Sequence, residues 1–372
     1  MEFIVKTFGG LEDVLAKELR ELGAKDIKPV KRAVLCSGTL EDVFKFNYQL
    51  RTAVKVLIKI KGFEIKDKED LYQKAKTIEW QDFFSQHDSF CIDSVMYSEL
   101  FKHSNYPALV VKDAIVDYFK HKYYKRPHVN TDKPNARINL HISNKSVTIA
   151  LDTSGQALFI RGYRDYTNEA PLNEVMAAGL IMLSGWDKET DLLDPMCGSG
   201  TILLEAAMMH QGIPAGYKRD HFAFMDWPSF KSKQWKAFKD SIDWKKQASI
   251  RIEGRDLSAK TVKLIASANA RNAGLSQSIK VVKKDFMKSE EENHSWHIVT
   301  NPPYDKILTL EDDLKFYEDL GTVLKFKFKG SSATVISSNA EAIKRIGLKP
   351  DQKQEIDNVK LNYKVYNFSI NS

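Results

Sequence analysis

The segment Asp191–Ala207, DLLDPMCGSGTILLEAA, constrains the fold more than any other stretch of the 372-residue chain. A short apolar strand ends at Asp194, a Gly-Ser-Gly turn follows, and a helix begins near Thr201. Gly198 and Gly200 let the backbone approach a ligand closely, and the first turn of the new helix offers unpaired N–H groups to a carboxylate or phosphate. The dinucleotide fingerprint needs a glycine where Leu203 stands, and the Gly-Lys pair of a phosphate loop is absent, so NAD and ATP are disfavoured. Taken alone, the turn is also compatible with a plain strand-to-helix connection.

Two later strands make it more than that. RIEGRDLS and KVVKKDF end at Asp256 and Asp285, and ligands of open α/β sheets bind outside the carboxyl ends of the strands. A carboxylate after the second strand suits ribose hydroxyls, and one after the third suits an adenine amino group. Either alone reads as a solvated or helix-capping aspartate. The apolar strand HIVT then runs into Asn301-Pro302-Pro303-Tyr304. An amine on an aromatic ring is a poor nucleophile because its lone pair is delocalised. A catalyst should therefore accept hydrogen bonds from both amine hydrogens and favour a more tetrahedral nitrogen. The Asn301 side-chain oxygen and the Pro302 carbonyl suit that task, with Tyr304 stacking on the base. Asn-Pro-Pro is also an ordinary turn, and only the upstream cradle lifts it to a candidate catalytic element.

From residue 172 onward the chain alternates helices with isolated apolar strands at Asp191–Asp194, Ile250–Asp256, Ile279–Asp285, Ile298–Thr300 and Ala333–Ser337, closed by a hairpin turning at Asp357-Asn358. Before it come two small α+β units. The first has strands at 2–7, Ala33–Cys36 and Ala53–Ile60 and helices at Leu11–Gly23 and Phe44–Leu50. The second has helices at Asp70–Ile78 and Tyr106–Lys122 and strands at Ser89–Met96 and Ser146–Asp152. Residues 162–171 read as a connector.

Composition narrows the partners. With 43% hydrophobic and 28% charged residues the chain is that of an ordered protein. Its start lacks the pattern of a secretion signal and no apolar run approaches the ~20 residues of a membrane span, so a cytoplasmic protein with no membrane association is expected. Cys36, Cys91 and Cys197 are widely spaced, which predicts buried reduced thiols and no metal site. The net charge of +7 is concentrated in residues 1–165, with 27 basic and 22 acidic side chains (+5) against 29 and 27 (+2) beyond. Lys120, Lys122, Tyr123, Tyr124, Lys125 and Arg126 interleave phosphate-seeking charges with stacking rings, a candidate RNA-binding cluster; a solvated helix end is the plainer alternative.

With these residues in hand, the chain resembles the THUMP-domain class I methyltransferases, in particular the bacterial group related to the 23S rRNA guanine-N2 methyltransferase RlmL. The resemblance rests on RGYR at 161–164, APLNEVMAAGLIMLSGW at 170–186, DPMCGSGTILLEAA at 194–207, FAFMDWPSF at 222–230, GRDLS at 254–258 and NPPY at 301–304, in the family's order. It implies an N-terminal ferredoxin-like unit at 1–60, a THUMP RNA-binding domain at 61–162, and a Rossmann-like methyltransferase domain with a seven-stranded mixed sheet at 163–372. It also implies S-adenosyl-L-methionine as cofactor, with Asp194, Pro195, Cys197, Gly198, Gly200 and Thr201 around its methionine part, Asp256 at the ribose and Asp285 at the adenine. Asn301 would border the cofactor and, with Pro302 and Tyr304, engage the target amine. The chain departs from the family after NPPY, where Asp305-Lys306 replaces the usual Gly-Glu-Arg.

The expected activity is methylation of an exocyclic amino group, guanine N2, in structured RNA, with 23S rRNA first and tRNA second. Adenine-N6 in nucleic acid and a protein glutamine amide offer the same planar amine, although no sequence-reading element stands in the first 165 residues. A non-catalytic RNA-binding or ribosome-assembly role is the alternative of another class.

Overall fold

The computed structural model describes residues 1–165, 172–244, 250–303, 310–358 and 361–371. The chain opens with β1 (Glu2–Lys6), α1 (Glu12–Glu21), β2 (Lys25–Val30), β3 (Ala33–Ser37), α2 (Glu41–Gln49) and β4 (Lys55–Glu64). It continues with α3 (Lys68–Lys76), β5 (Ser89–Tyr97), α4 (Tyr106–Tyr123), β6 (His128–Val129), β7 (Ala136–Ser143) and β8 (Ser146–Asp152). The eight strands form one sheet in the order β2-β3-β1-β4-β8-β7-β5-β6.

One face of this sheet is helix-covered. Phe3 and Val5 point from β1 into a core with Leu15 and Leu19 of α1 and Val43 and Phe46 of α2. Ile138, Leu140 and Ile142 of β7 do the same against Val111, Ile115 and Phe119 of α4. The alternation of period two along β7 is the ordinary mark of a half-buried strand. Strand β4 extends four residues beyond the expected Ile60, across 60–61. It pairs with β1 through Lys55–Ile58 and with β8 through Leu57–Glu64, so the two N-terminal units share a single sheet.

The second half contains α5 (Glu174–Leu183), β9 (Leu192–Asp194), α6 (Thr201–His210), α7 (Ser232–Asp240), β10 (Ile252–Asp256) and α8 (Ser267–Asn272), the last entered through a π-turn at Thr261–Ala266. Then follow β11 (Lys280–Lys283), β12 (His297–Thr300), α9 (Leu310–Lys327), β13 (Ser332–Ser337), β14 (Gln352–Asp357) and β15 (Asn362–Ser369). Their seven-stranded sheet runs β11-β10-β9-β12-β13-β15-β14, parallel except for β15, which runs antiparallel to both β13 and β14, as the closing hairpin at Asp357-Asn358 implies. Asn358 builds that turn by accepting the Leu361 N–H at 2.9 Å. This is the mixed α/β class I methyltransferase sheet. Its strand order reverses between β9 and β12, so the two connections leaving those strands part and open a crevice at their carboxyl ends. Among the described residues no helix is long and apolar enough to cross a membrane, and the three cysteines are buried and unpaired.

The halves meet over a buried ionic knot. Arg161, 2% exposed, lies 3.4 Å from Glu205 of α6, which is fully buried. It also donates to the carbonyls of Leu158 (2.8 Å) and Arg51 (2.6 Å), and the Tyr163 hydroxyl donates to Glu205 at 2.9 Å. Removing one partner leaves the other charge buried without compensation, at a cost of about 3–5 kcal/mol. Arg161→Met is therefore expected to lower the urea midpoint markedly; a midpoint equal to wild type would show the knot to be dispensable.

Candidate active site

At the carboxyl end of β9 the chain turns sharply through residues 195–200. Gly198 and Gly200 both take left-handed backbone, φ 50° and 79°, which a residue with a Cβ adopts only under strain. The loop is fastened to the neighbouring strand: the Cys197 N–H donates to the Arg255 carbonyl at 2.9 Å, and the Gly198 N–H to the Asp256 carboxylate at 3.2 Å. Underneath lies Gly254. A Cβ built there would stand 2.3 Å from Leu203 Cδ1 and 2.9 Å from Cys197 Sγ, so only glycine lets β10 pass this close beneath the loop. Asn269 of α8 steadies the turn by donating to the Ser199 carbonyl at 3.1 Å.

The expected carboxylates fall in line along the sheet edge. Asp194, Asp256 and Asp285 end or follow β9, β10 and β11, and the parallel registers Gly254↔Asp194 and Asp256↔Lys283 set them side by side. Asp256 also accepts the Ser258 N–H at 2.8 Å, and Asp285 caps a short turn by accepting the Met287 N–H at 3.0 Å. Each therefore braces the backbone locally and keeps lone pairs for a ligand. On the other side of β9, Asn301 follows β12, giving the order Asp285, Asp256, glycine loop, Asn301. With neighbouring strands about 4.8 Å apart, this row spans three spacings, roughly 15 Å.

Asp194 is the buried hinge of the row. It is 1% exposed, and its carboxylate accepts the Met196 N–H at 3.2 Å and the Thr300 hydroxyl at 3.1 Å. The Thr300 contact ties the ends of β9 and β12 across the crevice. Burial pushes the Asp194 carboxyl up to about 7, the nearby Asp256 charge adding to it and the two hydrogen bonds opposing it. The Cys197 thiol is held well above its ordinary value by burial and by both carboxylates, so it packs as a neutral group. Pro195 is buried. Thr201 accepts from Arg164 at 2.7 Å, and Arg164 in turn bonds the Leu172 carbonyl at 2.9 Å and pairs with Glu174 at 3.1 Å, joining the starts of α5 and α6.

Asn301 Oδ1 is buried and has no hydrogen-bond partner among the described residues. An orphan acceptor of this kind costs free energy unless a donor arrives. Pro302 is buried beside it; Tyr304, Asp305 and Lys306 lie outside the described residues, as do 166–171 of the expected connector. Among the described residues no group of three or more His, Cys, Asp or Glu is arranged to hold a metal ion.

The basic cluster lies elsewhere, at the end of α4, and it divides. Lys122 pairs with Glu79 at 3.1 Å, the Tyr123 hydroxyl donates to Gln81 at 2.9 Å, and Lys125 contacts His87 at 3.1 Å. Tyr124 is 94% exposed at the left-handed end of the helix, and Lys120 and Arg126 are exposed with no ion pair among the described residues.

Several participants were not singled out from sequence. Gly254 stood beside Asp256 in the GRD stretch, and a glycine inside an apolar strand signals close backbone approach. Thr300, Arg164 and Asn269 act through tertiary contacts that no spacing reveals.

A doubly wound parallel sheet, a glycine loop at its switch point and a polar Asn-Pro-Pro turn across the crevice define a class I methyltransferase. The chain belongs to the RMKL-like methyltransferase family, whose domain model matches residues 161–367; the RlmL ferredoxin-like domain matches 2–57 and the THUMP domain 66–152. A Synechocystis protein named as a candidate RNA methyltransferase is 33% identical over 352 residues, 94% of this chain and 91% of that protein. The ribosomal RNA large subunit methyltransferase K/L of Psychromonas ingrahamii is 33% identical over 378 residues, 100% of this chain but 50% of that protein, so the chain spans about half the length of such relatives. Among solved structures, a candidate methyltransferase designated SMU.472, complexed with SAH, superposes with TM-score 0.90 at 28% identity, covering 100% of this chain and 98% of that one.

Proposed function

We propose that this chain methylates the exocyclic N2 amine of a guanine in large-subunit ribosomal RNA. The observation that carries the reading is the buried, unpartnered Oδ1 of Asn301 at the switch point, beside Asp194 and the glycine loop. The methyl donor is S-adenosyl-L-methionine, and the residues present fit it: a tight cradle at the left-handed Gly198 and Gly200, and three carboxylates in register. Asp194 and the 195–201 loop would hold its amino-acid end, Asp256 its ribose and Asp285 its adenine. When bound, it supplies an electrophilic methyl group on a sulfonium.

The protein's own share is orientation. Asn301 Oδ1 and the Pro302 carbonyl accept the two amine hydrogens and turn the nitrogen lone pair toward the methyl carbon, while Tyr304 stacks on the base. No general base is required before transfer, because the methylated nitrogen is cationic and strongly acidic and releases its proton to water. The setting we propose is the cytoplasm, and the division into 1–60, 61–162 and 163–372 belongs to the same reading, with the end of α4 as part of the RNA contact.

The test is transfer of labelled methyl to unmodified rRNA, tRNA, duplex DNA or protein. Label in rRNA supports the reading; label in DNA or protein alone overturns the substrate class, and none in any of them overturns catalysis.

Cofactor binding should depend on pH. If Asp194 faces a cationic amino-acid end, its ionised form binds, so affinity should weaken as pH falls below about 7, approaching tenfold per unit, and level off above. Folding has the opposite sign: the empty protein loses stability as pH rises from the ordinary 3.8 toward about 7, where the buried carboxyl becomes charged. Calorimetric titration reads the first effect. A dissociation constant indifferent to pH, or unchanged in Asp194→Asn, would contradict the assignment.

A further inference from the structure

Between α6 and β10 the chain leaves its own sheet and crosses to the first half of the molecule. Phe222, Phe224 and Trp235 enter the core beneath α1 and α2. The ring of Phe44 in α2 stands 5.1 Å from Phe224, 5.4 Å from Trp235 and 5.9 Å from Phe238. The Phe224 N–H donates to the Thr153 carbonyl, just beyond β8, at 3.1 Å. The inner side of this arm is thus clamped onto the N-terminal sheet by aromatic packing.

Its outer side is different. Lys231, Lys233, Lys236 and Lys239 of and beside α7 are exposed, and none has an ion pair among the described residues. Residues 231–240 hold four lysines against one acid, Asp240. Like charges three residues apart, as at 233/236 and 236/239, face one another along the helix surface and repel weakly. Lys239 lies 5.4 Å from the Trp235 ring centroid, and no carboxylate pairs with any of the four among the described residues; a polyanion would offset the row.

Position adds a second argument. Leu151 of β8 pairs with Ile138 of β7, Ala136 of β7 pairs with Phe90 of β5, and Ser89 next to it pairs with His128, two residues past Arg126. The arm, anchored just past β8, and the basic end of α4, leading into β6, therefore sit at the same end of the sheet. Strands β8 and β6 are three spacings apart, about 15 Å.

We propose that α7 is an RNA-contacting helix: its lysines continue the basic end of α4 into one band, supplied by both halves of the chain, that grips the phosphate backbone. The inference rests on the reading that the substrate is RNA. Lysines act here as point charges for phosphate, which set register and affinity and carry no base identity.

The experiment compares wild type, a variant with Lys231, Lys233, Lys236 and Lys239 all changed to Gln, and a variant with the same loss of charge at exposed Lys325, Lys344, Lys349 and Lys353. Binding to an unmodified 23S rRNA transcript is measured across salt concentrations, with melting temperature and cofactor affinity alongside. The α7 variant should lose about tenfold or more in affinity and flatten the log–log salt slope by about 3, at about 0.7–0.9 per phosphate contact. Melting temperature and cofactor affinity should stay those of wild type, as should the whole behaviour of the control variant. Equal slopes for both variants, with wild type methylating the transcript, overturn the role of α7 and leave the substrate reading intact. A wild-type protein that neither binds nor methylates RNA overturns both.

Discussion

Asn301→Ala is expected to lower kcat by about 10²–10³ while the dissociation constant of S-adenosylmethionine changes less than about twofold. The magnitude is that of removing one preorganised polar group from a charge-developing centre, about 3–4 kcal/mol. The asymmetry follows from the proposed assignment, in which the unpartnered Oδ1 would face the target amine, whereas the proposed cofactor row at Asp194, Asp256 and Asp285 would remain whole. Single-turnover kinetics with cofactor titration separates the two quantities. Equal losses in both would move Asn301 from the target amine to the cofactor.

Gly254→Ala should act in the reverse sense, on cofactor binding first. Its methyl would meet Leu203 Cδ1 at 2.3 Å, Cys197 Sγ at 2.9 Å and Cys197 Cβ at 3.1 Å, in a region where both side chains are buried. Overpacking of this kind costs about 1–3 kcal/mol, and relief by lifting the loop moves Gly198 away from Asp256. Cofactor affinity is expected to fall at least about tenfold, with a lower melting temperature. Adding Leu203→Ala should recover part of the affinity by making room. A Gly254→Ala protein that binds the cofactor as wild type does would show that the loop does not depend on its close approach to β10.

Much of the catalytic half was legible because its signals are local. A strand, glycine turn and helix at 191–207, carboxylates after two later strands and Asn-Pro-Pro after HIVT each lie within one short stretch, and βαβ topology then forces them to one edge. The expected strands fall within one or two residues of β9, β10, β11, β12 and β13. Strand β7 was missed although Ile138, Leu140 and Ile142 alternate cleanly with polar residues. Strand β2 gives no such signal: KDIKPV has a proline and no fully buried residue.

What the sequence hides is tertiary. The merging of both N-terminal units into one sheet depends on which strand β4 meets beyond Ile60, and pairing across 90 residues leaves no periodic trace. The 222–230 stretch is visible as aromatic, but its target, Phe44 of α2, is not. The cluster at 120–126 looked uniform in sequence, and in the fold Lys122 and Tyr123 are occupied by Glu79 and Gln81, whereas Tyr124 stands in solvent.

The central claim is tested most directly by incubating the protein with labelled S-adenosylmethionine and unmodified 23S rRNA, digesting the RNA to nucleosides and identifying the labelled one by mass spectrometry. The account predicts N2-methylguanosine, formed by wild type and nearly absent with Asn301→Ala. Label appearing as N6-methyladenosine, or equally in both proteins, would contradict it.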